Sequence, residues 1–137
     1  MFIINKMKCN DFNLKVFVED TDFQGFVYHA NYLKYFERAR TQFLIDNQIS
    51  QLNSEGFFVI KNINITYSFP ARLEESLSVK TNVQLKTKAR LRFNQRIENI
   101  NTKKICCEAT IDVCFLDKIS NKPKAFNEGL LELITNE

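Results

Sequence analysis

The chain has 137 residues, of which 45% are hydrophobic and 26% charged, and this composition predicts one folded domain over residues 1–137. Its three glycines and two prolines exclude collagen-like and low-complexity chains. No apolar run approaches the roughly 18 residues of a membrane span, and the apolar stretch near the N-terminus is too short for a secretory signal. We therefore expect a cytoplasmic protein without a transmembrane segment.

The net charge of +3 is unevenly distributed. The segment from Lys80 to Lys104 carries eight basic residues and one acidic residue, which favours an anionic ligand there. The four cysteines form no C-x-x-C pair and the chain has a single histidine, so no zinc-ligand spacing is present. We expect free buried thiols, no metal and no cofactor.

The first predicted strand covers Leu14 to Val18, where Leu14, Val16 and Val18 share one face. From Asn31 onward apolar residues recur every three or four positions, which predicts a helix that ends near Asn47. The side chain of Asn31 is the expected N-cap. Apolar residues also flank the main stripe, so we expect protein to cover most of this helix.

Long strands are predicted after Gly56. Apolar residues alternate over four segments: Phe57–Ser68, Leu77–Lys88, Leu91–Ile100 and Lys104–Leu116. The last three are joined by short polar turns and predict an antiparallel meander. Pro123–Phe126 is a candidate edge strand and Glu128–Ile134 a candidate terminal helix. The predicted class is α+β, with a curved antiparallel sheet wrapped around one long central helix.

The densest polar cluster lies between the first strand and the helix, where Asp20 and Asp22 are followed by Tyr28 and His29. A helix N-terminus presents unpaired N–H groups that can stabilise an oxyanion. A carboxylate beside it can act as a general base or nucleophile. The same residue types also build turns and cap helices, so the pattern alone leaves both interpretations open.

Two segments resemble the active-site signature of hotdog-fold acyl-CoA thioesterases: VEDTDFQGFVYHANY (residues 18–32) and FERAR (residues 36–40). The resemblance is closest to the 4-hydroxybenzoyl-CoA thioesterase family and its Tol–Pal-associated, YbgC-type branch. Further similarity lies in SFPARLEE (residues 68–75) and FNQRI (residues 93–97). It implies the hotdog fold and hydrolysis of an acyl-CoA thioester without a metal. It also implies a homodimer or homotetramer with sites at subunit interfaces, and an acyl carrier protein is a further candidate partner.

The resemblance also implies roles for individual residues. Asp22 matches the catalytic carboxylate, and His29 matches the position whose backbone N–H points at the thioester carbonyl, with its imidazole assisting. The implied substrate-binding residues are Gly25, Tyr28, Glu37, Lys88, Arg90 and Arg92. The last three are spaced by two, which predicts one strand face and a patch for the CoA phosphates. Gln24 and Phe26 depart from the smaller residues usual in this branch, which leaves the acyl-chain preference open.

Other functions fit the residues less well. A hydroxyacyl dehydratase of the same fold would use a histidine in a proline-rich loop, and this loop contains no proline. A non-catalytic acyl-CoA-binding or envelope-complex protein would have no use for Asp22, although a docking role stays open. Nucleic-acid binding by the basic segment lacks the interleaved exposed aromatic residues expected of such a surface.

Overall fold

The long helix of the protein lies on one face of a single antiparallel sheet. The structure is a computed structural model, and it describes residues 6–52 and 54–135. In chain order the elements are β1 (Lys6–Lys8), β2 (Phe12–Lys15), α1 (Asn31–Asp46), β3 (Gly56–Tyr67), β4 (Ser76–Thr87), β5 (Arg90–Asn99), β6 (Ile105–Asp117) and α2 (Glu128–Thr135). The predicted α+β class, with a central helix against a long antiparallel sheet, is confirmed.

The strands are ordered β1-β4-β5-β6-β3, and β2 also pairs with β4. The meander of β4, β5 and β6 is therefore as predicted. β3 lies beyond β6 at one edge, although it precedes the meander in the chain. At the opposite edge β1 and β2 follow each other along β4, with Met7 opposite Val83 and Leu14 opposite Leu77.

Alternation along the strands separates an apolar face from a polar one. In β5, Leu91, Phe93 and Ile97 are buried, while Arg90 and Arg92 point to the other side. The apolar face packs against α1, whose buried stripe consists of Tyr32, Tyr35, Phe36, Ala39, Phe43 and Leu44. Burial of each large side chain contributes about 1.5–3 kcal/mol, so this contact fixes the helix on the sheet.

A polar network joins the helix to the sheet inside this core. The Arg40 guanidinium donates to Gln95 Oε1 at 3.0 Å. The Gln95 amide in turn donates to the Phe36 carbonyl and to Thr81 Oγ1, each at 3.1 Å. Satisfied buried polar groups of this kind specify one relative position of two elements. Here they set the register of α1 against β5.

The N-terminal half differs from the sequence prediction in two places. The strand predicted over Leu14–Val18 corresponds to β2, which ends at Lys15. Val18 is 72% exposed in a short 3₁₀ turn over Val18–Asp20. The turn forms because the Asp20 carboxylate accepts the Phe17 N–H at 2.9 Å. Asn31 is the first helical residue and not the cap, because its side-chain amide donates to the Asp20 carbonyl at 2.8 Å.

Three further predictions are corrected. Lys88 lies in the turn between β4 and β5, outside either strand. Pro123–Phe126 is not a strand, since only Pro123 makes an isolated bridge, to Leu116. Ile45 on α1 is 59% exposed, so the helix is covered on its sheet side but not all round.

The remaining predictions for the C-terminal half and for the cysteines hold. α2 begins at Glu128 as predicted and buries Leu130 and Ile134. All four cysteines are free and buried, as expected. In the described part of the chain, neither helix has the length and apolar character needed to cross a membrane.

Candidate active site

Asp20 ties the loop before α1 to the start of the helix. Its side chain is buried and accepts the Phe17 N–H, which closes the entry turn. Its carbonyl accepts the Tyr28 N–H at 3.0 Å and the Asn31 amide at 2.8 Å. Asp20 thereby holds both ends of the loop together.

Asp22 lies within this loop and also takes part in its hydrogen bonding. Its Oδ1 accepts the N–H groups of Gln24 at 2.9 Å and of Phe26 at 3.2 Å. Within residues 6–52 and 54–135, its Oδ2 accepts no hydrogen bond. One carboxylate oxygen thus fixes the orientation of the side chain, and the other is left to interact with a ligand.

Gly25 occupies the tip of the same loop with φ of +83°. This left-handed backbone conformation favours glycine over any residue that carries a Cβ. A Cβ at this position would meet no atom within 4 Å. The conformation of the turn, and not crowding, therefore explains the glycine, and the close approach of a ligand stays a prediction.

His29 and Ala30 lie immediately before α1. In the described residues, the backbone N–H groups of both donate to no protein acceptor. They sit at the positive end of the helix dipole, where anions are stabilised. The exposed imidazole of His29 lies 4.5 Å from the Tyr28 ring and 6.4 Å from the Tyr67 ring, between centroids. The helix start therefore offers paired N–H donors next to aromatic side chains.

A cavity of about 200 Å³ opens beside His29. Its walls come from the loop, the start of α1, the end of β3 and the start of β6: Val27, His29, Tyr32, Tyr67, Ser68, Phe69, Pro70 and Cys106. Most of these side chains are apolar or aromatic, which suits an acyl group. Neither Tyr67 nor Cys106 was singled out from the sequence, because nothing in their local pattern distinguishes them from ordinary strand residues.

Glu37 lies farther along α1, at a second and smaller cavity. Glu37 is six positions after Asn31, a rise of about 9 Å along the helix axis. The second cavity, of about 90 Å³, lies between α1 and strands β3, β5 and β6, and Arg40 also lines it. Burial lowers the pKa of Arg40, whose hydrogen bond goes to Gln95 and not to Glu37. The structure therefore does not bring Glu37 to the cavity beside His29.

Arg90 and Arg92 flank the buried carboxylate of Asp112 on the polar face of the sheet. Arg92 Nε donates to Asp112 Oδ1 at 2.8 Å, and Arg90 Nε donates to Oδ2 at 3.0 Å. The hydrogen bond from Arg92 is the main cause that lowers the pKa of Asp112, and Arg90 adds to it. The pair therefore lies across the sheet from α1, and Lys88 is in the neighbouring turn. The structure does not join these three residues to Asp22 within one chain.

No metal centre is found in the described ranges, where no three His, Cys, Asp or Glu side chains are grouped closely enough to hold an ion. The loop before α1 carries a carboxylate, Asp22, and the start of the helix carries two unpaired backbone N–H groups and an imidazole. Such a set can stabilise negative charge on an oxygen while it delivers a nucleophile or a base.

The family model of the thioesterase-like superfamily matches residues 16–134. The chain belongs to this family. It is 34% identical over 121 residues to the acyl-CoA thioester hydrolase YbgC of Escherichia coli O6:H1, covering 86% of this chain and 90% of that protein. It is 37% identical over 119 residues to the acyl-CoA thioesterase YbgC of Haemophilus influenzae, covering 84% and 86%. The resemblance on which the sequence prediction was based is thereby confirmed.

Solved structures of thioesterase-like proteins match the fold. A protein of Bartonella henselae, described as a probable thioesterase, superposes with a TM-score of 0.77 at 33% identity, over 86% of this chain and 98% of that one. The 1,4-dihydroxy-2-naphthoyl-CoA thioesterase Slr0204 of Synechocystis superposes with a TM-score of 0.87 over 90% and 93%, at 17% identity, and supports the fold alone. The hotdog fold is confirmed, and the prediction of a thioester hydrolase is confirmed at the level of the family.

Proposed function

We propose that this thioesterase-family protein hydrolyses the thioester bond of an acyl-CoA to a free acid and CoA. The observation that carries the proposal is that one loop holds both the Asp22 carboxylate, with one oxygen unpaired in the described residues, and the unpaired N–H groups that lead into α1. The apolar cavity beside His29 would accept the acyl group. The names of the relatives at 34% and 37% identity support the same activity.

The chemistry follows from the charges that develop during the reaction. Asp22 attacks the thioester carbonyl carbon, or it takes a proton from a water that attacks instead. The carbonyl oxygen becomes negative and is stabilised by the His29 N–H at the helix start. When the tetrahedral species collapses, the C–S bond breaks and CoA leaves as the thiolate. Direct attack gives a mixed anhydride that water then cleaves, and both routes end in the same products.

A homodimer or larger homo-oligomer is part of the proposal. β3 forms one edge of the sheet, and its partly exposed side chains include Phe57, Ile60 and Ile63. An edge strand with apolar side chains is suited to pairing with another chain. Assembly would also allow Arg90 of a neighbouring subunit to reach the CoA phosphates of a site from which it is separated in its own chain. An acyl carrier protein as the acyl donor stays a prediction.

The substitution Asp22→Asn tests the mechanism. Asn Oδ1 can still accept the N–H groups of Gln24 and Phe26, so the loop and the fold should survive. The loss of charge and basicity should lower kcat by roughly 10²- to 10⁴-fold while acyl-CoA binding persists. CoA release can be followed with a thiol reagent over acyl chains of several lengths. A folded Asp22→Asn protein with near wild-type kcat would remove this carboxylate from the chemistry.

Asp20→Asn is the matched control. The Asp20 carboxylate is buried and closes the entry turn, so this change should lower Tm more and kcat less than the change at Asp22. If the two variants lose kcat equally at equal Tm, the assignment of separate roles is wrong. Acyl-CoA binding without turnover in the wild type would instead favour the non-catalytic alternative.

A further inference from the structure

Tyr67, the last residue of β3, makes a hydrogen bond to the segment that starts α1. Its Oη donates to the His29 carbonyl at 3.2 Å, across 38 residues of chain. Its ring lies edge-on to the imidazole of His29 at 6.4 Å and tilted against the ring of Tyr32 at 5.8 Å. The Tyr67 hydroxyl is protonated at physiological pH even at the ordinary pKa of tyrosine, about 10, and partial burial raises the pKa further, so the hydroxyl can donate.

The Tyr28–His29 and His29–Ala30 peptide groups lie just before the helix, and the carbonyl of each accepts a hydrogen bond. The Tyr28 carbonyl accepts the Asn31 N–H at 2.8 Å, and the His29 carbonyl accepts the Tyr67 hydroxyl. In a planar trans peptide the N–H points opposite to the C=O. Fixing the two carbonyls therefore also fixes the directions of the His29 and Ala30 N–H groups, neither of which has an acceptor in the described residues.

We infer that Tyr67 is a positioning residue, which orients and polarises the His29–Ala30 peptide so that the Ala30 N–H serves as a second oxyanion donor beside the His29 N–H. The inference rests on the proposed thioester hydrolysis. A hydrogen bond to the carbonyl of a peptide strengthens the N–H of the same peptide as a donor. β3 thereby contributes to the oxyanion site through the backbone of His29 and Ala30, with no contact between Tyr67 and the reacting carbonyl.

Tyr67→Phe removes the hydroxyl and keeps the ring packing. We expect kcat to fall by roughly 2- to 12-fold, the value of one neutral hydrogen bond, with KM for acyl-CoA unchanged. The control is Ser78→Ala on β4, which also removes one hydroxyl; the buried Ser78 Oγ has no hydrogen-bond partner in the described residues, so this change should leave kcat unchanged. A raised KM with unchanged kcat in Tyr67→Phe would overturn the inference, as would wild-type kinetics.

A spectroscopic measurement separates positioning from a structural effect. The thioester carbonyl of an acyl-CoA labelled with ¹³C at C1 can be observed by infrared difference spectroscopy, bound to Asp22→Asn, in which hydrolysis is slow. Adding Tyr67→Phe should move this carbonyl band to higher wavenumber, because the oxyanion donors polarise it less. An unchanged band would overturn the inference whatever the kinetics. Failure of the wild-type protein to hydrolyse any acyl-CoA would instead refute the proposed function, so the two failures are distinguishable.

Discussion

Asp20 and Asp22 are two positions apart, and each accepts backbone N–H groups of the loop. They differ in whether a carboxylate oxygen is left accessible and unpaired once those hydrogen bonds are made. The Asp20 side chain is buried and its backbone carbonyl is also engaged, whereas Asp22 keeps one oxygen without a partner in the described residues. A carboxylate that is oriented by one oxygen and free at the other is suited to chemistry on a bound ligand.

Tyr32 should contribute measurably to stability through its hydroxyl, which accepts the Ala71 N–H at 2.9 Å in a buried position. Tyr32→Phe leaves that N–H without a partner, which should lower the free energy of unfolding by about 1–3 kcal/mol. Denaturant unfolding of the purified variant measures this directly. Ser78→Ala, which removes a buried hydroxyl that has no partner in the described residues, should lose nothing in the same experiment, and an equal loss in both variants would contradict the argument.

The residues of the candidate site that lie in one segment can be proposed from the sequence, whereas the one that joins them from a distant strand cannot. Asp22, Gly25, Tyr28 and His29 lie in one short segment, so a motif can reveal them together. Tyr67 joins them only because β3 ends beside the helix start, and no local pattern encodes that pairing.

At the scale of elements, the periodicity of apolar residues predicted the helix and the strands that bury one face. The helix over Asn31–Asp46 and the strands β3 to β6 each repeat apolar residues over ten positions or more, so tertiary packing and local pattern agree. Lys88 was misplaced because alternation continued through a tight turn, where spacing by two no longer means a shared strand face. The position of β3 beside β6 depends on contacts between residues distant in sequence, so the periodicity of the sequence does not predict it.

Arg90 and Arg92 both pair with Asp112, so an experiment must decide whether Arg90 also binds the CoA phosphates. If Arg90 binds the CoA phosphates, Arg90→Ala should raise KM for acyl-CoA more than it lowers kcat, because the contact lies far from the reacting carbonyl. A charge-assisted contact is worth roughly 1.5–3 kcal/mol. Steady-state kinetics with acyl-CoA, and with a short thioester analogue that lacks the CoA phosphates, measures the effect.

Arg96→Ala supplies the matched control, since Arg96 lies on the same face of β5 and pairs with Glu98. It removes the same charge without touching the Asp112 cluster. If KM for Arg90→Ala equals that of both the wild type and Arg96→Ala, Arg90 does not bind CoA and serves to neutralise Asp112.

At the scale of the whole molecule, the edge strand β3 leads to a prediction about assembly. Ile63 is 38% exposed although its neighbour across the strand pair, Ile111, is fully buried. If β3 pairs with a second copy, Ile63→Lys should place a charge in that contact and shift the protein toward the 16.1 kDa monomer. Light scattering at micromolar concentration measures the change.

Asn64→Lys adds the same charge to the opposite, polar face of β3 and should leave the assembly intact. A wild-type mass near 16.1 kDa would contradict the predicted oligomer and the interface-built site together.

The four buried cysteines bear on how cleanly CoA release can be measured. Burial raises the pKa of Cys9 to about 12 and that of Cys106 to about 11, and it raises the pKa of Cys107 as well. Only thiolates react rapidly with a thiol reagent, so the folded protein should contribute almost no background beside the released CoA. A denatured chain would expose all four thiols, and the same colour reaction would then report the unfolded fraction of every variant in the assay.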